Sequence, residues 1–145
     1  MILSSRSIRQ RLENSAGEGR IILEPYGSEC QQPASYDLRS AQDYIMDRGV
    51  MTLIASMEWV ELPNDIAATL RCRSSYARRG LLLSGGFVDP GFRGHLTLCL
   101  LNMGVEPVHV STGDRIVQMI FSEVTSGDEM YNGRYQDSYG VVTAR

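Results

Sequence analysis

The segment from His95 to Leu101 alternates its side chains in the pattern of a β-strand. Leu96, Leu98 and Leu100 fall on one face and Thr97, Cys99 and Leu101 on the other, because successive strand residues point to opposite sides. The segment from Arg115 to Phe121 repeats this alternation, and Val50 to Val60 is another of several extended runs that lie between turns. Many short strands at roughly regular spacing predict a mainly β fold, either a barrel or a jelly-roll-like sandwich.

One helix is predicted, at the N-terminus. Ser4-Ser5 can cap a short helix that runs to Asn14, in which Ile8 and Leu12 stand on one packed stripe. A chain of 145 residues with 43% hydrophobic residues suits one globular domain that buries a proper core. The chain has no internal repeat and no interdomain linker, so residues 1–145 are predicted to form a single domain.

Charge and cysteine content exclude several classes of protein. A net charge of −3 and a pI near 5.4 exclude nucleic-acid binding through a broad basic surface, which has to neutralise several phosphates at once. No apolar run approaches about 18 residues and no signal peptide opens the chain, which predicts a soluble, cytoplasmic protein without a membrane partner. The cysteines are far apart with no Cys-x-x-Cys pair, which argues against structural zinc and excludes the zinc-dependent nucleobase deaminases.

The segment from Arg73 to Gly94 gathers arginines, serines and glycines around one acid, Asp89. A carboxylate can accept a proton from a bound water, so Asp89 is the candidate general base. Guanidinium and hydroxyl groups bind phosphate oxygens, and Mg²⁺ would neutralise the remaining phosphate charge. Surface arginines paired with an aspartate explain the local pattern nearly as well. The predicted phosphate ligands are Arg73, Ser74, Ser75 and Arg78.

Two further stretches bear on the same site. Gly85-Gly86 lets the backbone approach a flat ligand and offer N–H and C=O groups to the edge of a base. The polar, tyrosine-rich stretch from Met130 to Gly140 lies in a tail of about residues 126–145. This tail is predicted to be a mobile flap that closes over the site, and a frayed terminus is the alternative interpretation.

An ordered set of motifs resembles the dUTPase and dCTP deaminase superfamily over nearly the whole chain. The resemblance implies a distorted jelly-roll subunit in a homotrimer, with active sites at subunit interfaces. It also implies that these sites bind a deoxynucleoside triphosphate together with Mg²⁺. The motifs are Pro33-Ala34-Ser35-Tyr36-Asp37-Leu38, Arg73-Ser74-Ser75-Tyr76-Ala77-Arg78, Val88-Asp89-Pro90-Gly91-Phe92-Arg93-Gly94, Gly113-Asp114-Arg115-Ile116-Val117-Gln118 and Arg134-Tyr135-Gln136.

The resemblance also implies roles for single residues. Asp89 would activate water, and Phe92 would lie against the deoxyribose and leave no room for a 2′-hydroxyl. Asp37 and Arg93 are expected to organise the site or the subunit contact. The remaining substrate-binding residues implied by the resemblance are Gln118 for the phosphates and, in the tail, Arg134, Tyr135 and Gln136.

Position 99 decides between the two branches of the superfamily. Non-zinc dCTP deaminases carry a glutamate in a Leu-Glu-Phe-like context on the strand after the Asp89 motif, and this chain has Leu98-Cys99-Leu100. A thiol is a poor replacement for a carboxylate in both proton transfers that deamination needs, and Gly86 fits the uracil-binding hydrolases. The sequence therefore predicts a homotrimeric, Mg²⁺-dependent dUTP diphosphatase that hydrolyses dUTP to dUMP and pyrophosphate.

Two alternatives remain open. The chain is a dCTP deaminase, or a bifunctional enzyme that forms dUMP directly from dCTP, if another carboxylate substitutes for the residue missing at Cys99. In a different functional class, it is a catalytically silent nucleotide-binding regulator.

Overall fold

The computed structural model describes residues 1–145. Two α-helices and eleven β-strands form along the chain, with one turn of 3-10 helix at Ser28–Cys30. The helices and strands are α1 (Ser5–Glu13), β1 (Ile22–Glu24), β2 (Gln31–Gln32), β3 (Ser35–Arg39), β4 (Tyr44–Met46), β5 (Met51–Glu61), β6 (Ile66–Cys72), α2 (Ser74–Ala77), β7 (Leu81–Ser84), β8 (Phe87–Val88), β9 (Arg93–Asn102), β10 (Val108–Val110) and β11 (Arg115–Glu123).

The strands pair into two larger sheets and one small ribbon, and all the strand pairs within them are antiparallel. A four-stranded sheet has the order β1-β5-β9-β7, and a five-stranded sheet has the order β2-β3-β11-β6-β8. The ribbon consists of β10 and β4. The prediction of a mainly β fold with a short N-terminal helix is confirmed.

The alternation of β9 divides the strand between core and surface. Leu96, Leu98 and Leu100 are buried, and Thr97 and Cys99 on the opposite face are partly exposed. The buried leucines belong to one cluster of 25 core residues that also draws on β3, β5, β6 and β11. Each fully buried leucine in such a cluster stabilises the fold by roughly 1.5–3 kcal/mol relative to an exposed one. The outward face of β9 is therefore free to carry polar groups.

The predicted N-terminal helix forms and begins directly after its capping residue, Ser4. The Ser4 hydroxyl accepts a hydrogen bond from the Ser7 amide at 3.2 Å, and Ile8 on the inner face is fully buried. Arg11 near its end pairs with Asp65 at 2.6 Å. This contact fixes the helix against the turn between β5 and β6.

A second helix, α2, was not predicted. It is a single turn of four residues that leaves β6 and ends before Gly80, whose φ of 98° suits a glycine. A helix this short shows no hydrophobic periodicity, so the sequence pattern could not reveal it. Neither helix has the length and apolar character required to cross a membrane.

Candidate active site

A cavity of about 510 Å³ lies on the outward face of β9 and is called the Asp89 cavity here. Eleven of its 15 lining residues are hydrophobic, and the others are Asp89, His95, Thr97 and Ser138. Asp89 is its one carboxylate. An apolar cleft of this size with a few polar side chains suits a flat, drug-sized ligand.

The turn between β8 and β9 presents Asp89 and Phe92 to this cavity. The Phe92 amide donates to the Asp89 carbonyl at 3.2 Å, which closes the turn. The Phe92 side chain is only 7% exposed and packs against Tyr131, with ring centroids 5.9 Å apart. The Asp89 side chain remains exposed. The structure therefore gathers Asp89, Phe92 and Tyr135 of the predicted site residues in one cavity.

Cys99 also lines the Asp89 cavity. It stands on the outward face of β9, opposite Leu53 of β5 and Ser84 of β7. Its thiol makes only a weak contact to the Thr97 carbonyl, at 3.9 Å. The position where the sequence resemblance implies a glutamate is thus part of the cavity wall.

The C-terminal tail supplies another wall of the Asp89 cavity and follows β9 of the same chain. Ser138 forms a parallel bridge to Gly94, and its carbonyl accepts a hydrogen bond from the His95 amide at 2.9 Å. The Gly140 amide donates to His95 Nδ1, and the Val142 amide donates to Thr97 Oγ1, both at 3.0 Å. The tail is therefore docked on its own subunit in this structure.

The predicted tail residues Arg134 and Gln136 do not line the Asp89 cavity. The Arg134 guanidinium donates to the Arg145 carbonyl at 2.7 Å. The Gln136 side chain bonds the backbone of Gly91 and Arg93 instead. Arg93 forms a half-exposed ion pair with Asp137, with both oxygens 3.0 Å away. The predicted contacts of Arg134 and Gln136 with the substrate stay predictions.

A second cavity, about 530 Å³ in volume, holds part of the predicted phosphate set and is called the Arg73 cavity here. Its lining includes Arg73 and Ser75, together with Arg79 and Arg115, for which no role of their own was predicted. The three guanidinium groups, with the Ser75 and Tyr76 hydroxyls, can bind phosphate oxygens, and the carboxylates of Glu29 and Asp114 in the same lining offset part of their positive charge.

Buried Asp37 pairs with two arginines of the Arg73 cavity. Its carboxylate is 2% exposed and lies 3.0 Å from Arg73 Nε and 3.7 Å from Arg115 Nη1. Burial raises the pKa of the Asp37 carboxyl above its ordinary value, and the two guanidinium groups oppose this rise. An arginine removed from this group would leave a buried carboxylate without its partner.

The other predicted site residues lie outside both cavities. Ser74, the first residue of α2, and Arg78, just after its end, are exposed. Gln118 on β11 donates from Nε2 to the Ser35 hydroxyl at 2.9 Å. Gly85 adopts a φ of 75° in the bend after β7, with open space around it. The Asp89 and Arg73 cavities have no lining residue in common. One chain alone therefore does not unite the predicted catalytic and phosphate-binding residues.

Sequence patterns missed His95 and Thr97 as members of the Asp89 cavity. Both stand on the outward face of β9 with Cys99, so the alternation could have found them. Tyr131 could not be found in this way, because the contact of the tail with β9 joins distant parts of the chain.

The chain is similar in sequence to dCTP deaminases. A family model described as dCTP deaminase-like matches residues 39–124. The dCTP deaminase of Pyrococcus horikoshii is 36% identical, over 86% of this chain and 90% of that protein. The dUMP-forming dCTP deaminase of Thermobifida fusca is 32% identical, over 100% of this chain and 92% of that protein.

Solved structures show the fold. The dCTP deaminase of Agrobacterium tumefaciens superposes with a TM-score of 0.68 at 22% identity, over 83% of this chain but only 47% of that one. This chain therefore spans about half of that protein chain. The dUTPase of EIAV superposes with a TM-score of 0.60 at 21% identity, over 82% of this chain and 96% of that one. The predicted jelly-roll fold of the dUTPase-like type is confirmed.

The prediction of a dUTP diphosphatase is wrong. The curated relatives with 32–37% identity over most of the chain are dCTP deaminases, several of them dUMP-forming. One argument for uracil binding was Gly86, but its carbonyl accepts a hydrogen bond from the Leu70 amide at 2.6 Å. A Cβ at this position would lie 2.8 Å from Leu70 Cβ. Close packing against β6 explains this glycine without reference to the base.

Proposed function

The chain belongs to the dCTP deaminase-like family, and on this basis we propose that it binds dCTP and removes the exocyclic amine of cytosine by hydrolysis. The identity to dCTP deaminases over 86–100% of the chain carries this proposal. The superfamily predicted from the sequence is confirmed by the same matches. The proposal corresponds to the first alternative drawn from the sequence.

The Asp89 cavity is the proposed site for the cytosine and deoxyribose. Its apolar lining suits a flat base and a sugar, and buried Phe92 forms part of its wall. Deamination adds water at the ring carbon and releases ammonia, so one group has to accept a proton and return it to the leaving nitrogen. Asp89 is the one carboxylate in the cavity that can do this, with the Cys99 thiol in the cavity wall.

The Arg73 cavity is the proposed start of the phosphate site. Because it is separate from the Asp89 cavity within one chain, we propose a homotrimer in which α2 of one chain faces the Asp89 cavity of its neighbour. Ser74 on α2 and Arg78 just after it, both exposed, would then reach the substrate of the neighbouring subunit. Subunits related by rotation repeat this contact at each interface.

Mg²⁺ fits this proposal as a cation that the triphosphate carries. The structure has no group of three or more His, Cys, Asp or Glu side chains able to hold a metal ion. When bound, Mg²⁺ would neutralise phosphate charge. The residues of the chain would bind the phosphate oxygens that the cation leaves free.

Cys99 favours a second candidate function, a nucleotide-binding protein without turnover. The thiol occupies the cavity wall where the sequence resemblance implies the acid of a deaminase. Such a protein would keep the apolar cavity and the arginines and bind dCTP without converting it.

A single assay tests both candidates. Purified protein is incubated with dCTP, with and without Mg²⁺, and ammonia release and the nucleotide products are followed, with CTP as the control nucleotide. We expect dUTP or dUMP from dCTP and little product from CTP, and dUMP would indicate the dUMP-forming type. Binding of dCTP by calorimetry without product supports the second candidate, and absence of binding contradicts both.

A further inference from the structure

The backbone of the turn that carries Asp89 is hydrogen bonded by the C-terminal tail. The Tyr131 amide donates to the Pro90 carbonyl at 2.7 Å, and the Asp137 amide donates to the Arg93 carbonyl at 2.8 Å. On its other side, the turn bonds Leu62 just after β5. The position of Asp89 therefore depends on the tail as well as on the sheet.

The side chain of Gln136 is the central member of this contact. Its Nε2 donates to the Gly91 carbonyl at 2.8 Å, and its Oε1 accepts from the Arg93 amide at 2.9 Å. One carboxamide thus satisfies a carbonyl and an amide two residues apart in the turn. A residue without both a donor and an acceptor cannot do this.

Two glycines make room for this close approach. A Cβ on Gly91 would lie 2.6 Å from Met130 Cβ, and a Cβ on Gly94 would lie 2.8 Å from the Ser138 amide nitrogen. Both glycines have positive φ, at 82° and 145°. Any side chain at either position would push the tail away from the turn.

The ion pair between Arg93 and Asp137 is not what sets the register of the tail. Both side chains are about half exposed, at 50% and 56%. Exposed ion pairs of this kind contribute about 0–1 kcal/mol and weaken with salt. Gln136 is partly buried and bonds the backbone directly. Its hydrogen bonds therefore restrict the position of the tail against the turn more than the ion pair does.

We propose that Gln136 is a positioning residue, whose carboxamide holds the Gly91–Arg93 backbone so that Asp89 and Phe92 face the cavity. Its importance for turnover rests on the proposed function. The hydrogen-bonding role itself does not, because it concerns only atoms of this chain. Gln136 would act through the turn and would not itself contact the reacting atoms.

Two substitutions separate this role from simple packing. Gln136→Ala removes the two hydrogen bonds to the turn and a longer one, at 3.4 Å, from Nε2 to the Tyr131 carbonyl. Gln136→Glu keeps an acceptor for the Arg93 amide but loses the donor to the Gly91 carbonyl. Asn132→Ala is the matched control, since Asn132 is an exposed tail residue.

The first measurement is amide hydrogen exchange of Arg93 by nuclear magnetic resonance. We expect exchange to accelerate by about tenfold or more in Gln136→Ala, and to stay near the wild-type rate in Gln136→Glu and Asn132→Ala. A wild-type rate in Gln136→Ala overturns the inference, whatever the activity of the protein.

The second measurement is turnover and binding of dCTP. We expect kcat to fall by about tenfold or more in both Gln136 variants, because a misplaced Asp89 acts poorly, while the Kd for dCTP changes less than the kcat. An unchanged kcat in both variants contradicts the positioning role. A wild-type protein that binds dCTP without turnover rejects the proposed deaminase activity, and the exchange rate of Arg93 then decides the inference.

Discussion

The Gly140 amide donates a hydrogen bond to Nδ1 of His95 across 3.0 Å. An imidazole nitrogen accepts only when it carries no proton, so this contact requires neutral His95 with its proton on Nε2. The same ring packs edge-on against Trp59 and Tyr139, at 5.5 and 4.9 Å between centroids. His95 therefore connects the docked tail to the only tryptophan of the chain.

Acid is expected to release the tail through His95. Burial lowers the pKa of His95 below its ordinary value of 6.5, so the unfolded or undocked chain binds the proton first as the pH falls. The stabilisation of the docked tail by neutral His95 is complete above pH 6.5. It is lost as the pH falls through the lower pKa that His95 has in the docked state. Trp59 fluorescence and proteolysis of the tail between pH 7.5 and 5 measure this. If His95→Gln shows the same pH profile as the wild type, His95 is not the group through which acid releases the tail.

Substitution of Cys99 by glutamate should increase dCTP deamination. A carboxylate in the cavity wall can transfer the protons that the thiol handles poorly, and general acid–base catalysis contributes about 10²–10⁴-fold. Cys99→Gln controls for size and polarity, because its amide does not titrate in this range. Ammonia release from dCTP is the measurement. If Cys99→Glu releases ammonia no faster than Cys99→Gln, the proposal that the cytosine binds against this wall of the cavity is refuted.

Asp89→Asn should keep the affinity for dCTP and reduce turnover by about 10²-fold or more, since Asp89 is the one carboxylate of its cavity. Calorimetry measures binding, and product analysis measures turnover. Asp47→Asn, at an exposed carboxylate outside both cavities, is the control. Turnover at the wild-type rate in Asp89→Asn would exclude Asp89 as the general base.

Removal of the Arg73 side chain should destabilise the protein as well as weaken nucleotide binding. In Arg73→Leu the buried Asp37 loses its partner at 3.0 Å, and we expect a loss of about 1–3 kcal/mol in the free energy of unfolding because Arg115 remains nearby. Adding Asp37→Asn should recover part of this stability but not the affinity for dCTP. Urea denaturation measures the first effect, and Arg48→Leu, at an exposed arginine outside both cavities, is the control. A double variant no more stable than Arg73→Leu would contradict the pairing.

Two inactive variants should restore activity when their chains are mixed. If each site takes Asp89 from one chain and Arg78 from the next, then mixed trimers of Asp89→Asn and Arg78→Ala contain some intact sites. Random assembly at equal amounts predicts about a quarter of wild-type turnover, since each site draws twice from two kinds of chain. Unfolding and refolding the two variants together, followed by a dCTP assay, tests this. A mixture no more active than its parents would place both residues on one chain.

Much of the fold follows local rules that the sequence displays. Ser4 caps α1, and Leu96, Leu98 and Leu100 of β9 point inward, because capping and strand alternation depend on near neighbours. The bridge between Gly94 and Ser138 could not be predicted in this way, because it joins distant segments. Of the predicted site residues, Asp89 and Phe92 share one cavity and Arg73 and Ser75 share another, and their roles stay predictions. The separation of these cavities depends on the three-dimensional arrangement of the sheets.

The choice of reaction was the least predictable feature. It depended on one residue, Cys99, and on Gly86, whose requirement for glycine has a packing explanation. The identity to dCTP deaminases extends over most of the chain, and two single positions do not reflect it. A single position in a cavity wall indicates what chemistry is difficult there, but it does not identify the nucleotide.

The outward placement of Cys99 has an evolutionary consequence. Its neighbours Leu98 and Leu100 are fully buried, whereas Cys99 itself contributes nothing to the core cluster. Exchanges at such a position change stability little, because no cavity opens in the core and no close-packed neighbour has to move. Descendants of one ancestor can therefore gain, lose or regain the reaction at this position while they remain folded. In this fold, inheritance of the scaffold and inheritance of the chemistry are separable.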